Sequence, residues 1–337
     1  MSVEQKPDRS GRITSRALWY EASRVLGFRE ANLAEPGEGE ARVVALWSAV
    51  SRGTERLVFE GRVPVSQAEI MRAPFQRGDF PFPVAYGYCL VGRVEAGPAE
   101  WLDKTVFCLH PHLDRFNVPL TALRPVPEKI PPRRATLAAN METALNAFWD
   151  SGAGPGDRIV VIGAGVLGLL TAALAAQLPG AEVVVVDRQG ARQKIAEALG
   201  AQFRHADSFA GQTGVEADIV FHASASSAGL ILALGCAGLE ATIVEMSWYG
   251  DAAVSAPLGG AFHSQRLRLI SSQVGQVSPS RRPRWNFARR LDKALELLVD
   301  PRFDVFLTEE LAFADFPAQA ARIFAPDAPG LATVLRY

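Results

Sequence analysis

The chain has 337 residues, 48% of them hydrophobic, enough for two domains with ample cores. Thirty-five basic residues against thirty-six acidic leave a formal charge of −1, so no overall field draws the protein to nucleic acid or to an anionic membrane. Cys89, Cys108 and Cys236 form no CxxC pair and no disulfide framework, which fits a reducing cytoplasm; the polar run MSVEQKPDRSGRITSR, expected as a loose arm, lacks the apolar core of a signal peptide.

From Ser15 to about Pro127 short strand signals alternate with turns. RALWYEA, ARVVALWSAV, CLVGRVEA and KTVFCL are separated by EPGEGE, AGPAE and several prolines, which predicts a mainly β module. Pro125, Pro127, Pro131 and Pro132 mark a stiff passage, and Ala135 to Trp149 reads as a helix leading into the next strand.

The stretch Arg158 to Asp187, RIVVIGAGVLGLLTAALAAQLPGAEVVVVD, organises the second half. A buried strand, Ile159 to Ile162, runs into Gly163-Ala-Gly165-Val166-Leu167-Gly168, then an Ala/Leu-rich helix stopped by Pro179-Gly180, then a strand closing on Asp187. Gly163 permits the tight turn, Gly165 lets backbone amides reach a pyrophosphate, and Gly168 lets the helix pack on the strand. Val166 and Leu167 open the helix, whose N-terminal amides and dipole face the phosphates. Asp187 stands nineteen residues after Gly168 and is placed to hydrogen-bond an adenosine ribose. A carboxylate there prefers NAD(H). Arg188, next in sequence, keeps NADP(H) open, since an arginine can turn toward a 2′-phosphate or simply be solvated. The apolar run Val160 to Leu178 is thus a strand and a buried helix, and no transmembrane span is needed.

The α/β rhythm continues. Residues 191–199 suit a helix, a short strand lies near Gln202, Asp218–Phe221 is a strand, Ser226 to Ala237 a helix, and Ala241–Met246 and Leu267–Ser271 are strands. About six parallel strands with helices on both faces make a doubly wound sheet, with ligand at the carboxyl ends of the strands. Ser224, Ser247 and Ser272 fall at those ends as candidate cofactor contacts. Residues 283–299 have helical periodicity, with Arg281, Arg282, Arg284, Arg289 and Arg290 near the start; they are either a solvated face or a grip on an anionic group. The tail ends in GLATVLRY, a strand expected to return to the β module.

This order resembles the medium-chain dehydrogenase/reductase superfamily over nearly the whole chain from about Ser15. The carriers are Ser51-Arg-Gly53-Thr54-Glu55, similar to the family's Cys-Gly-Thr-Asp segment; Tyr86-Gly87-Tyr88-Cys89-Leu-Val-Gly92-Arg-Val, similar to its Gly-His-Glu strand; Pro155-Gly156-Asp157; and the glycine fingerprint. The resemblance implies an α/β protein with a GroES-like β-rich catalytic domain (1–139 and 279–337) and a Rossmann doubly wound parallel sheet (140–278). It also implies an active site in the cleft between them and a homodimer through the Rossmann edge strand. Residues 51–64 look most like the zinc-free branch that contains the bacteriochlorophyllide hydroxyethyl dehydrogenase, while the whole chain looks closer to a broad bacterial alcohol dehydrogenase-like group.

The chain departs from the family at its zinc. Arg52 stands where the family has a cysteine ligand, Tyr88 where it has the histidine, Cys89 where it has the following acid, and Ala138 or Ala139 near the third ligand. No family-type zinc is expected, and carbonyl polarisation falls to side-chain donors, water or substrate electronics. A different metal set, Cys89, Cys108, His110 and His112, is weighed against buried thiols and loop histidines.

What remains is a proton-handling set. Thr54 matches the family hydroxyl that bonds the substrate oxygen, while Leu57 replaces the histidine that relays its proton in some members. Tyr88 puts a phenol at the lost ligand, His110 matches a pocket position with an unperturbed pKa near 6.5, and Glu55 and Glu142 can orient these donors. Arg52 can alternatively hold a substrate carboxylate or a cofactor phosphate. The leading reading is a zinc-independent NAD(P)-dependent oxidoreductase acting on a small-molecule secondary alcohol or carbonyl. An NADPH-dependent quinone or enone reductase and a catalytically silent dinucleotide-binding sensor are the alternatives.

Overall fold

The computed structural model describes residues 13–210 and 214–337, so most of the run expected as a loose arm lies outside the described residues. The chain forms two compact units. One holds the chain up to Thr136 with Glu310–Ala328 and Thr333–Tyr337; the other holds Leu137–Glu309 and Pro329–Ala332.

In the first unit, β1 (Thr14–Ala22) and β2 (Val25–Asn32) form an antiparallel hairpin. The central strand is β3 (Glu40–Ala49). It is followed by helix α1 (Arg52–Glu60), which ends on Gly61 at φ +70, a left-handed position that glycine takes without strain. Then come β4 (Leu90–Ala96), β5 (Thr105–Cys108) and β6 (Arg115–Pro119). Antiparallel to β3 lie β4, β6 and the expected C-terminal strand, Thr333–Arg336. The period-two pattern drives this sheet: Ala41, Val43 and Ala45 of β3, Leu90 and Val94 of β4, Val106 of β5 and Phe116 and Val118 of β6 share one core. Each such Val, Leu or Phe contributes about 1.5–3 kcal/mol on burial.

The second unit opens with α2 (Ala138–Ser151) and continues β7 (Arg158–Ile162), α3 (Val166–Ala175), β8 (Glu182–Asp187), α4 (Gln193–Ala198), β9 (Gln202–His205), β10 (Ala217–His222), α5 (Ser227–Cys236), β11 (Ala237–Glu245), β12 (Arg268–Ser271) and α6 (Phe287–Leu297). The six strands are parallel, in the spatial order β9-β8-β7-β10-β11-β12. Continuous apolar runs such as Ile159–Ile162 bury both faces of the inner strands. Strand order reverses between β7 and β10, and a crevice for ligand belongs outside the carboxyl ends there.

Residues 279–309, expected with the β module, group instead with this second unit. The reason is a buried ion pair. Arg290 of α6 places Nε 3.0 Å from Glu142 Oε1 of α2 and donates from Nη1 to Asn146 Oδ1 at 2.6 Å, tying the two helices together. Among the described residues no helix is long and apolar enough to cross a membrane.

Candidate functional site

The glycine turn between β7 and α3 has three different constraints. Gly163 sits at φ +107, and a Cβ there would lie 2.9 Å from the Ser224 amide nitrogen. Gly168 packs so closely that a Cβ would stand 1.9 Å from Gly163 O. Gly165 has nothing within 4 Å of its Cβ position and is exposed. The outer two glycines are therefore required by the protein itself, whereas the middle one opens onto the space where a phosphate would lie. Val166 and Leu167, half-buried, supply first-turn amides that no helical carbonyl can accept.

Asp187 ends β8 beside this turn. Its Oδ2 accepts the Ala164 amide at 2.6 Å and its Oδ1 the Gln189 amide at 2.8 Å. The carboxylate is half-buried and keeps lone pairs for a ribose. Arg188 is exposed, and its carbonyl accepts from His205 Nε2 at 2.7 Å. Arg192 is buried and donates to Gly330 O at 2.6 Å, so it is a structural arginine. These residues fit a dinucleotide: an open glycine, free helix amides and an acid at the second strand end.

The carboxyl ends of β10 and β11 carry a network that sequence reasoning missed apart from its serines. His222 and Glu245 are register partners on these strands. His222 Nδ1 lies 2.7 Å from Glu245 Oε2, and His222 Nε2 lies 2.7 Å from Ser224 Oγ. Ser224 Oγ lies 2.9 Å from Ser226 Oγ. Tyr249 OH donates to Glu245 Oε2 at 3.0 Å, and the Ser247 amide donates to Glu245 Oε1 at 2.9 Å. Burial opposes ionisation of Glu245, yet the hydrogen bonds and charge of His222, with those of Ser247, hold its carboxyl below the ordinary range. Burial and the Glu245 charge raise the Tyr249 phenol, keeping it a donor. Ser247 Oγ accepts the Ala225 amide at 3.1 Å, and Ser272 Oγ donates to Asp150 at 2.7 Å, so both candidate serines are engaged inside the unit.

In the first unit, α1 and the loop before β4 bring hydroxyls together. Tyr88 OH donates to Ser51 Oγ at 2.5 Å and also hydrogen-bonds Thr54. Burial lifts the Tyr88 phenol well above its ordinary value, so it stays protonated. Glu55, expected to orient these donors, lies inside the unit. It is fully buried, accepts from Tyr20 OH at 2.8 Å, from the Ser51 amide at 2.6 Å and lies 3.0 Å from His112 Nε2. His112 Nδ1 in turn lies 2.8 Å from Ser48 Oγ, which meets Tyr337 OH at 3.0 Å. This is a closed internal chain that fixes α1 against the sheet.

His110 also departs from expectation. Its ring is buried, stacked 4.0 Å from Phe116 and 5.3 Å from Phe75, and burial pushes its pKa down to about 3. It is neutral at physiological pH and poorly matched to acid–base work there. Burial raises Cys89 far above the ordinary thiol range and Cys108 up to about 12. His112 has both nitrogens engaged, and among the described residues no group of three or more His, Cys, Asp or Glu is placed to hold a metal. At the positions that the resemblance matches to zinc ligands stand Arg52, Tyr88 and Ala138 or Ala139, none of them a Cys, His, Asp or Glu. Glu142, Arg281, Arg282, Arg289 and Arg290 have partners inside the unit as well. Arg290 is buried on Glu142, Arg282 Nε donates to Val277 O at 2.7 Å, and Arg289 and Arg281 lie over the Trp285 and Trp149 rings at 4.0 and 5.5 Å.

No family model matches the chain. Solved structures do. L-idonate 5-dehydrogenase from Escherichia coli is 16% identical, with a TM-score of 0.77 over 97% of this chain and 99% of that one. An Escherichia coli short chain alcohol dehydrogenase complexed with NADH is 17% identical, with a TM-score of 0.75 over 96% and 99%. A Sinorhizobium meliloti protein assigned as a zinc-binding dehydrogenase and bound to NADP is 17% identical, with a TM-score of 0.76 over 96% and 100%. The chain has the α/β fold of these dehydrogenases, a GroES-like unit with a Rossmann unit, along nearly its full length.

Proposed function

We propose that the protein is a zinc-independent, NAD(H)-preferring oxidoreductase of the medium-chain dehydrogenase/reductase type, acting on a secondary alcohol or its carbonyl. The observation that carries this reading is the glycine turn: Gly165 is open where Gly163 and Gly168 are closed by the protein, with Asp187 bonded to the intervening Ala164. When bound, the nicotinamide cofactor supplies or accepts the hydride. The chain's own residues bind its pyrophosphate on the α3 amides and its adenosine ribose on Asp187. Thr54 and Tyr88 hold the substrate oxygen, with Ser51 completing their hydroxyl chain and Tyr88 acting as a protonated donor. The zinc-free branch resembled by residues 51–64 is the favoured placement within the superfamily. The edge strand β12, with one neighbour and an exposed Leu269, supports a homodimer through this strand.

The test is turnover. Metal-analysed protein is given NAD+ with secondary alcohols, and NADH with the matching ketones, while nicotinamide absorbance is followed. Zinc-free turnover that falls about 10²-fold or more in Thr54→Val supports the reading. Turnover restricted to enones with NADPH would replace it with the C=C reductase alternative.

A further inference from the structure

Two Ser–His–Glu chains occur among the described residues, and they differ in access. Ser48, His112 and Glu55 are wholly buried, and Tyr337 caps the serine. Ser224, His222 and Glu245 have a buried histidine but a half-buried serine on the turn between β10 and α5. The second chain has the more accessible serine.

The polarity of that chain follows from its partners. Glu245 is ionised and accepts only, so His222 Nδ1 carries the proton and donates to it. In the neutral imidazole that places the lone pair on Nε2, where it accepts from the Ser224 hydroxyl at 2.7 Å. Ser226 Oγ accepts the Gly229 amide at 3.1 Å and turns its own proton toward Ser224 Oγ. This is the order of a nucleophile, its general base and the carboxylate that orients the base. The local backbone is built around it. A Cβ on Gly229 would lie 2.1 Å from Ser224 Oγ and 2.6 Å from His222 Nε2, so glycine there makes room for the pair. Ala225, directly after the serine, is held at φ +50, a conformation that costs about 1–3 kcal/mol in a non-glycine residue and clusters at functional sites. A serine on a crowded strand-to-helix turn is the architecture that exposes a nucleophile above a parallel sheet.

We propose that Ser224, His222 and Glu245 form a second catalytic site, an acyl-transfer centre in the nucleotide unit that hydrolyses small carboxylic esters. Ser224 Oγ attacks the ester carbonyl while its proton passes to His222 Nε2. The carbonyl carbon–alkoxy bond then breaks, and the alcohol leaves with that proton. Water, deprotonated by His222, attacks the acyl-serine; the carbon–Oγ bond breaks, Ser224 recovers its proton and the carboxylic acid is released. Donors for the oxyanion stand next in sequence: the Ala225 amide, now on Ser247 Oγ, and the first-turn amides of α5. Ser226 Oγ, 2.9 Å from Ser224 Oγ, favours small acyl groups. The site shares the carboxyl ends of β10 and β11 with Ser224 and Ser247, the candidate cofactor contacts, but its chemistry does not depend on the oxidoreductase reading.

The experiment uses the full chain with a fluorophosphonate probe and p-nitrophenyl acetate. Wild type is expected to gain one phosphonyl group, mapped by peptide mass to Ser224, and to hydrolyse the ester. Ser224→Ala loses both while keeping its circular dichroism and melting temperature, and His222→Asn slows both by about 10³-fold or more. Glu245 is a positioning residue, read by comparing two variants. In Glu245→Gln the Ser247 amide fixes the side-chain oxygen, so the NH2 faces His222 Nδ1, imposes the wrong tautomer and lowers the rate by about 10⁴-fold. Glu245→Ala leaves Nδ1 free and falls less, the reverse of what a structural role gives. Wild type that stays unlabelled where chymotrypsin is labelled, or labelling unchanged in Ser224→Ala, overturns the proposal.

Discussion

Asp187 Oδ2 accepts the Ala164 amide at 2.6 Å, joining the acid at the end of β8 to the glycine turn at the end of β7. Asp187→Asn keeps the shape but presents an NH2 to one of the two amides that the carboxylate accepts. On the proposed binding mode a charge-assisted bond to the ribose is lost as well, at about 1.5–3 kcal/mol. NADH affinity is expected to fall about tenfold or more and NADPH affinity less, so that the ratio of the two dissociation constants narrows. Fluorescence titration with both cofactors measures this.

Gly168→Ala pushes a methyl group 1.9 Å from Gly163 O, against backbone that cannot move away cheaply. Overpacking of this kind costs about 1–3 kcal/mol. Urea unfolding of the variant should show a lower midpoint, and dinucleotide binding should weaken with it because α3 is displaced from β7.

Glu55→Ala leaves Tyr20 OH, the Ser51 amide and His112 without their buried acceptor. Removing one member of such a network costs about 3–5 kcal/mol. The expected result is a large loss of stability in chemical denaturation. A folded protein of normal stability with selectively lost turnover would restore Glu55 to a catalytic role.

His110 gives the first unit a pH dependence. The folded state keeps the ring neutral down to about pH 3, whereas the unfolded chain protonates near 6.5. Between these values the unfolded state binds more protons, so stability rises with pH and is lost as pH falls below about 6.5. From about pH 7 to about pH 5 the loss is about 2 kcal/mol from this group. His110→Phe, which preserves the stack between Phe75 and Phe116, should lack that part of the loss in guanidinium unfolding at the two pH values.

The sequence was most readable where one local pattern carries the fold. Ile159–Ile162, the three glycines and Asp187 lie within one βαβ unit, and the central strands of the parallel sheet carry short apolar runs. β2 is not legible in the sequence because Val25–Asn32 is mostly exposed and its glycine and charges break the alternation. α1 is not legible because its nine residues mix charges with apolar side chains, and the helix is fixed by Glu55 in its first turn and Gly61 at its end. His222 and Glu245 stand twenty-three positions apart, and only the in-register pairing of β10 with β11 makes them neighbours. His110 looked like an ordinary titrating residue because its two stacking rings come from distant segments.

The most direct test of the account is a fluorescence titration of metal-analysed wild type and Gly165→Ala with NADH and NADPH. Gly165 has open space at its Cβ, so alanine there should leave the melting temperature unchanged. The account predicts that wild type binds NADH more tightly than NADPH and that Gly165→Ala, equally stable, binds NADH at least about tenfold more weakly. Equal NADH affinity in the two proteins, or no binding by wild type, would contradict it.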